Sequence, residues 1–346
     1  CIRDSYLHFG WKERRDPSQL FSTGHYLDNN PDVVRSNLNP LAHFFLYGLS
    51  EGRKPSATQQ LKVSQRGEDW ESYLPTKSPA SEQPVLASAV SVIVPVYRGL
   101  RVTKACLESV LQSSNITPIR LIVIDDRSPE PEVVDYLKSL PQDIRLEVIH
   151  NPVNLGFVGT VNKGMELYPD SDVVLLNSDT VVPNHWLDRL VGQAYSAGQV
   201  GTVTPFSNNA TICNFPTLQG FSQLPADQTV DQISEACSEA NLGRSVEIPT
   251  AVGFCMYIRR DCLTDVGLFD IAAFGKGYGE ENDFCLKATA KGWKHLLATD
   301  AFVFHEGEAS FQSESSPGKK AAAKVIRERY PYYEDLVAQH VTADLA

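Results

Sequence analysis

The 346-residue chain lacks paired cysteines, a long apolar run and an excess of positive charge. Its seven cysteines, Cys1, Cys106, Cys213, Cys237, Cys255, Cys262 and Cys285, are odd in number and show no Cys-x-x-Cys spacing. That argues against a disulfide framework and against a zinc site, and it fits a reduced, cytoplasmic setting. The longest apolar stretch, "VLASAVSVIVPVY", is broken by serines and a proline and is too short to cross a bilayer. No basic-then-apolar leader opens the sequence, although its abrupt start on Cys1 suggests a piece of something longer. With 31 Lys and Arg against 42 Asp and Glu, the net charge is -11, which argues against a general nucleic-acid-binding surface. An acidic protein that handles a phosphorylated ligand needs a metal ion or a local cluster of amide donors. What remains is ordinary for a globular protein, 42% hydrophobic and 21% charged, and long enough for one large domain plus a small one.

An internal repeat stands near the start. "YLHFGWKERRDPS" (6–18) aligns with "FFLYGLSEGRKPS" (44–56), with Gly10/Gly48, Glu13/Glu51, Arg15/Arg53, Pro17/Pro55 and Ser18/Ser56 identical. A unit of this length with aromatic helical stretches reads as a helical module over 1–56 whose first copy has lost its beginning. Residues 57–88 are polar, proline-bearing and aperiodic, a linker. From residue 89 short β-branched runs alternate with amphipathic stretches. Strands are expected over 90–97, 120–126, 145–150, 172–177 and 200–205, with helices over 101–113, 130–140, 156–168 and 184–197. That alternation predicts an α/β domain over 89–335 with a mostly parallel sheet covered on both faces, followed by a tail over 336–346. Residues 206–245 are loose and polar; a further strand, a helix after "GYGEEND" and a last strand over 301–307 complete the pattern.

In such sheets ligands bind beyond the carboxyl ends of the strands, and acidic residues stand there. Asp125 and Asp126 could accept hydrogen bonds from a nucleobase or ribose, or could simply start a turn with Ser128. Gly156, Gly159 and Gly164 around a helix start could let backbone amides approach a phosphate or sugar, but the spacing is neither GxGxxG nor GxxxxGK[ST]. Asp179 in "NSDT" could give a carboxylate oxygen to a hard divalent cation, or serve as a turn residue. Glu280, Glu281 and Asp283 gather at a helix N-terminus, where capping explains one or two and a general base would explain a third. His305 ends a strand as a possible metal ligand.

Together these pieces resemble the inverting glycosyltransferases of family 2, of GT-A fold, and within them the rhamnosyltransferase-like branch of bacterial surface-polysaccharide synthesis. The resemblance rests on seven ordered elements over 90–310: "VSVIVPVYRG", "LIVIDDRS", "NPVNLGFVGTVNKGM", "VVLLNSDTVVPNHWLDRL", "AVGFCMYIRRDCLTDVGLFD", "GYGEENDFCLKATAKGW" and "FVFHEGEASF". It implies that Pro95, Val96, Tyr97, Asp125 and Asp126 hold the nucleotide's base and ribose, and that Asn154, Gly156 and Asn162 border the donor. Asp179 matches the last acid of the family's Asp-x-Asp motif, with Ser178 before it and Asn177 where the first acid is common, implying a water-mediated contact there. Gly253 matches the loop on the acceptor side, and His305 the histidine that completes a Mg²⁺ or Mn²⁺ site. Glu281 occupies the position of the catalytic base, a glutamate where aspartate is usual, which leaves Glu280 and Asp283 as rival candidates. The implied reaction moves a sugar from a nucleoside-diphosphate sugar to a hydroxyl of a saccharide or lipid-linked acceptor. It implies a cytoplasmic protein, free or peripheral at the inner membrane face, alone or beside other glycosyltransferase modules. Two rivals stand against it: a sugar-1-phosphate nucleotidyltransferase, whose glycine- and basic-rich loop after the first strand is missing from "VPVYRGLRVTKA", and a non-catalytic transferase-like scaffold or glycan-binding module.

Overall fold

The structure, a computed structural model, describes residues 11–16, 21–36, 39–44, 53–54, 89–216, 222–225, 228–307 and 317–343. The chain divides into two compact units, one of residues 1–69 with 222–228, the other of the remainder.

In the first unit three short helices, α1 (Thr23–Asn29), α2 (Pro31–Ser36) and α3 (Pro40–His43), surround a core of Phe21, Tyr26, Leu27, Val33 and Phe44. Ser22 caps α1 by accepting from the His25 N–H, and the buried Tyr26 hydroxyl meets His43 Nδ1 at 3.1 Å. Most of the two aligned segments of the repeat, and the whole linker 57–88, lie outside the described residues.

The second unit is built on an eight-stranded sheet. Its elements, in chain order, are β1 (Val90–Val96), α4 (Leu100–Gln112), β2 (Ile119–Asp125), α5 (Pro131–Ser139), β3 (Leu146–His150), α6 (Gly156–Leu167), β4 (Val173–Leu176), β5 (Thr180–Val181), α7 (Trp186–Ala194), β6 (Val200–Phe206), α8 (Val230–Asn241), β7 (Ser245–Ile248), β8 (Cys255–Ile258), α9 (Arg260–Val266), α10 (Ile271–Phe274), α11 (Glu280–Ala290), β9 (Lys294–Phe302), β10 (Phe304–His305), α12 (Pro317–Arg329) and α13 (Tyr333–Ala343). The sheet order is β3-β2-β1-β4-β8-β6-β9-β7, with six strands in one direction and β8 and β7 reversed. This is the expected α/β class with a mostly parallel sheet. Central strands β1, β2 and β4 are almost wholly buried because helices cover both faces, so both side-chain rows are apolar. On one face Val158, Val161 and Met165 of α6 and Phe284, Cys285 and Ala288 of α11 pack with Ile93, Leu175 and Met256.

Three features depart from the sequence expectation. The segment 206–245 contains α8, opened by a reciprocal capping box between Thr229 and Gln232. The last sheet strand begins at Lys294, seven residues before the expected 301, and β10 leaves the sheet to pair antiparallel with β5, His305 facing Thr180. Helix α13 runs through 336, where a tail was expected. Among the described residues no helix is long and apolar enough to cross a membrane, and the six described cysteines are free and buried.

Candidate active site

The carboxyl ends of β1, β2 and β4 carry the expected residues. Pro95 and Val96 stand in register with Ile124 and Asp125, and the half-buried Tyr97 follows with the Arg98 guanidinium 5.4 Å from its ring centre. The Asp125 carboxylate accepts from the Ser128 N–H at 2.7 Å and lies 2.8 Å from His150 Nδ1. Asp126 accepts from the N–H groups of Leu155 (2.7 Å) and Gly156 (2.8 Å) and from the Asn151 amide (3.0 Å). These bonds tie the loop before α6 to the end of β2. Asn154 donates to the Asp126 carbonyl at 3.3 Å, while its own buried Oδ1 has no partner. Gly156 has φ +74°, and a Cβ there would lie 2.7 Å from the Lys276 backbone, so only glycine lets α6 start so close to that loop. Asn162 is buried and clamps the Phe269 backbone, donating to its carbonyl (2.9 Å) and accepting from its N–H (3.1 Å). Its amide is therefore engaged inside the fold.

The two-stranded ribbon of β5 and β10 brings Asp179 to His305. His305 Nε2 lies 3.4 Å from Asp179 Oδ1 and 3.5 Å from the Asn177 amide nitrogen, with Ser178 buried between. The other ring nitrogen, Nδ1, is 2.7 Å from the Asn209 carbonyl, which can only accept, so the hydrogen belongs on Nδ1. Asn208 fixes the backbone of the same residue, accepting from the His305 N–H (2.8 Å) and donating to its carbonyl (3.0 Å). The Gly307 N–H reaches Asp179 Oδ2 at 3.2 Å. With φ +85° and a hypothetical Cβ 1.7 Å from Asn209, position 307 also requires glycine. Burial pushes the Asp179 carboxyl up, but the His305 charge and hydrogen bond, with backbone N–H groups, outweigh it and hold the carboxyl low. Burial likewise pushes His305 down, and Asp179 reverses it to a raised value.

In neutral His305, the Nε2 lone pair faces a carboxylate oxygen across 3.4 Å. A proton on Nε2 satisfies this pair, as the raised His305 value reflects, and a divalent ion taking the proton's place would find one carboxylate oxygen and one imidazole nitrogen as ligands. Among the described residues no group of three or more His, Cys, Asp or Glu converges. Two protein ligands suit an ion whose other positions are filled by diphosphate oxygens and water. The carbonyl behind Nδ1 is the partner that orients a ligating histidine.

The third part is the start of α11. Gly279, φ +82°, provides no side-chain cap, leaving the helix N–H groups open to carboxylates. Burial pushes the half-buried Glu281 carboxyl above the ordinary range, against backbone N–H groups of the first turn. Glu280 is buried and is pushed well above that range by burial and by the Glu281 charge; its Oε2 has no partner. Asp283 is committed: Arg329 (2.8 Å) and Tyr330 (2.9 Å) donate to one oxygen, and Lys287 pairs with the other at 2.6 Å. Of the three acids, Glu281 alone combines a raised pKa with partial exposure.

One loop joins these groups. Gly253 packs against Glu281, 3.9 Å from its carboxyl carbon to an added Cβ, and the next residue, Phe254, stacks on the His305 ring at 5.2 Å. The Asn177 N–H donates to the Phe254 carbonyl at 2.8 Å. Sequence reading missed Phe254, Asn208 and Asn209. The Ser-Asn-Asn run just past a β-branched strand was the available signal for the last two.

Residues 87–328 match the family model described as "Glycosyltransferase like family 2". The chain belongs to that family. Relatives include the uncharacterised protein y4gI of Sinorhizobium fredii, 24% identical over 239 residues, covering 67% of this chain and 26% of that protein. The pre-mycofactocin glycosyltransferase of Mycobacterium tuberculosis is 24% identical over 227 residues, 63% of this chain and 42% of that protein. The chain thus spans about a quarter of the first relative and under half of the second. Among solved structures, GalNAc-T7 crystallised with UDP, GalNAc and Mn²⁺ superimposes with a TM-score of 0.52 at 17% identity, over 72% of this chain and 49% of that one. At that identity the likeness bears on fold, and the fold is GT-A. Asp179 follows β4 of that sheet, His305 stands on the ribbon of β5 and β10, and Glu281 opens α11.

Proposed function

We propose that the chain transfers a sugar from a nucleoside-diphosphate sugar to a hydroxyl of a saccharide acceptor, in one displacement that inverts the anomeric centre. The observation that carries this reading is the step from Gly253 to Phe254, one residue against Glu281 and the next against His305. It brings a carboxyl with a raised pKa and a donor set for a cation to one rim, as direct displacement requires. Glu281 takes the acceptor hydroxyl proton as its oxygen bonds to the anomeric carbon and the bond to the diphosphate breaks. Asp179 and His305 would hold Mg²⁺ or Mn²⁺, which when bound offsets the charge of the departing diphosphate. Pro95, Val96, Tyr97 and Asp125 border the nucleotide, Asp126 and Asn154 shape the loop over it, and Asn177 steadies the Nε2 side of His305. Asn162 supports the site from within the fold, and Asp283 holds the helix that bears the base.

We place the reaction in bacterial surface polysaccharide synthesis, O-antigen or capsule, with a hexosyl or deoxyhexosyl donor as in the rhamnosyltransferase-like branch. The acceptor is then a saccharide or lipid-linked saccharide, met at the inner membrane face or passed from a neighbouring glycosyltransferase module. Glu281→Gln is the direct test. It should abolish metal-dependent release of nucleoside diphosphate from a panel of nucleotide sugars while binding nucleoside diphosphate as the wild type does. Near-wild-type turnover in Glu281→Gln together with loss in Asp283→Asn would move the base to Asp283.

A further inference from the structure

The family match ends at residue 328, and the side chains just beyond it reach back to the acid-bearing turn. Arg329 donates to Asp283 and to Asp270, each at 2.8 Å, bridging α11 to the cap of α10. The Tyr330 hydroxyl donates to the same Asp283 oxygen at 2.9 Å. The Tyr333 hydroxyl donates to Asn282 Oδ1 at 3.0 Å and stands 3.1 Å from the buried Thr250 hydroxyl, in the loop that leads to Gly253. Ala322 and Ile326 of α12 would lie about 3.5 Å from a Cβ at Gly279, so the helix also packs against the entry to α11. Glu281 thus sits between Asn282 and Asp283 on one side and Gly253 on the other, and the C-terminal segment holds Asn282, Asp283 and, three residues before Gly253, Thr250.

We propose that Arg329, Tyr330 and Tyr333 form a positioning clamp that sets the Glu281 carboxyl against the loop entering β8 and tunes the charge around it. This inference rests on Glu281 acting as the base. None of the three residues is assigned contact with substrate; they act through Asn282, Asp283 and Thr250. The groups facing Glu281 are Glu280 and Cys285 of its own helix and Tyr333 of α13. Those facing Asp283 are Lys287 of its own helix and Arg329 and Tyr330. Removing the guanidinium leaves Asp283 with one cation, Lys287, and the neutral Tyr330 hydroxyl. The added negative field two residues from Glu281 then favours its protonated form, so the base is lost at a higher pH than in the wild type.

The test follows nucleoside diphosphate release from the nucleotide-sugar panel with Mn²⁺, water serving as acceptor, across pH. It compares the full chain with Arg329→Met, Arg329→Lys and Tyr333→Phe. Arg329→Met should lower kcat by about tenfold or more with donor KM within about twofold, and should move the acid limb to higher pH. Arg329→Lys should restore the limb, because it keeps the charge, but not all of kcat, because an ammonium cannot reproduce the planar bridge. Tyr333→Phe should lower kcat without moving the limb. A folded Arg329→Met with the wild-type limb, or a Tyr333→Phe with wild-type kcat, overturns the clamp. Should Arg329→Met fail to fold by circular dichroism, Tyr333→Phe decides alone. A wild-type chain that releases no diphosphate from any donor overturns the transferase reading, and the clamp with it; an active wild type separates the two.

Discussion

Asp126 accepts hydrogen bonds from two consecutive N–H groups and one side-chain amide, so both its oxygens are engaged within the protein. The carboxylate's first role is to hold the loop 151–156 at the end of β2, where Asn154 and the start of α6 then stand. Asp126→Asn replaces one acceptor with a donor facing an N–H. It should destabilise the fold by about 2–4 kcal/mol, read from the midpoint of urea unfolding. Asn162 teaches the same lesson, since its amide meets the Phe269 backbone on both edges. A polar residue that a motif assigns to a ligand can be a fastening of the scaffold under it. The residue type alone does not separate the two, because hydrogen-bonding capacity is what both tasks use.

Among elements, β9 is the instructive one. Its sequence "KHLLATDAF" does not read as a buried strand because His295, Thr299 and Asp300 interrupt the apolar run, yet all three are buried. His295 meets Thr202 and the Cys285 carbonyl, Thr299 donates to the Arg244 carbonyl, and one Asp300 oxygen accepts from the Gly243 N–H and the Gln193 amide while the other is buried without a partner. Strands β1, β2 and β4 were legible because apolar, mostly β-branched residues dominate them, and β6 because its valines and threonines favour a strand. Strand β9 was not, because tertiary partners made polar residues affordable inside, and the two-residue ribbon of β5 and β10 is too short for any periodicity. Asp179, Glu281 and His305 could be picked out by type and position, whereas the contact between Asp179 and His305 required that ribbon. His295 also carries a pH prediction. Burial pushes it from 6.5 down to about 4, so it is neutral in the folded chain. Its contribution is complete above the unfolded value and is lost as pH falls from about 6.5 towards 4. The gap of 6.5 - 4 = 2.5 units corresponds to at most about 3 kcal/mol. Urea unfolding of His295→Gln across that range should give a lower stability at high pH and a flatter decline on acidification than the wild type.

For the molecule as a whole, a net charge of -11 opposes binding of a diphosphate. Affinity for a nucleoside diphosphate should therefore depend on a divalent ion. Calorimetric titration in Mn²⁺ should give binding that weakens by about tenfold or more on chelation, and His305→Ala should bind weakly in both conditions. Equal affinity with and without chelator would remove the ion from the site.

Strand β8 runs against its neighbours β4 and β6. Its entrance therefore opens at the rim where the parallel strands end, and the chain arrives there through 249–254 without contributing a link to the β1, β2 and β4 pairing. The rim thus has two halves built by different routes, one by the parallel core that presents Asp125, Asp126 and Asp179 and one by an incoming connection, and they meet where the Asn177 N–H donates to the Phe254 carbonyl. On the function proposed above, a change in length ahead of Gly253 would redraw the acceptor side while the strand ends that bear Asp125 and Asp126 kept their geometry.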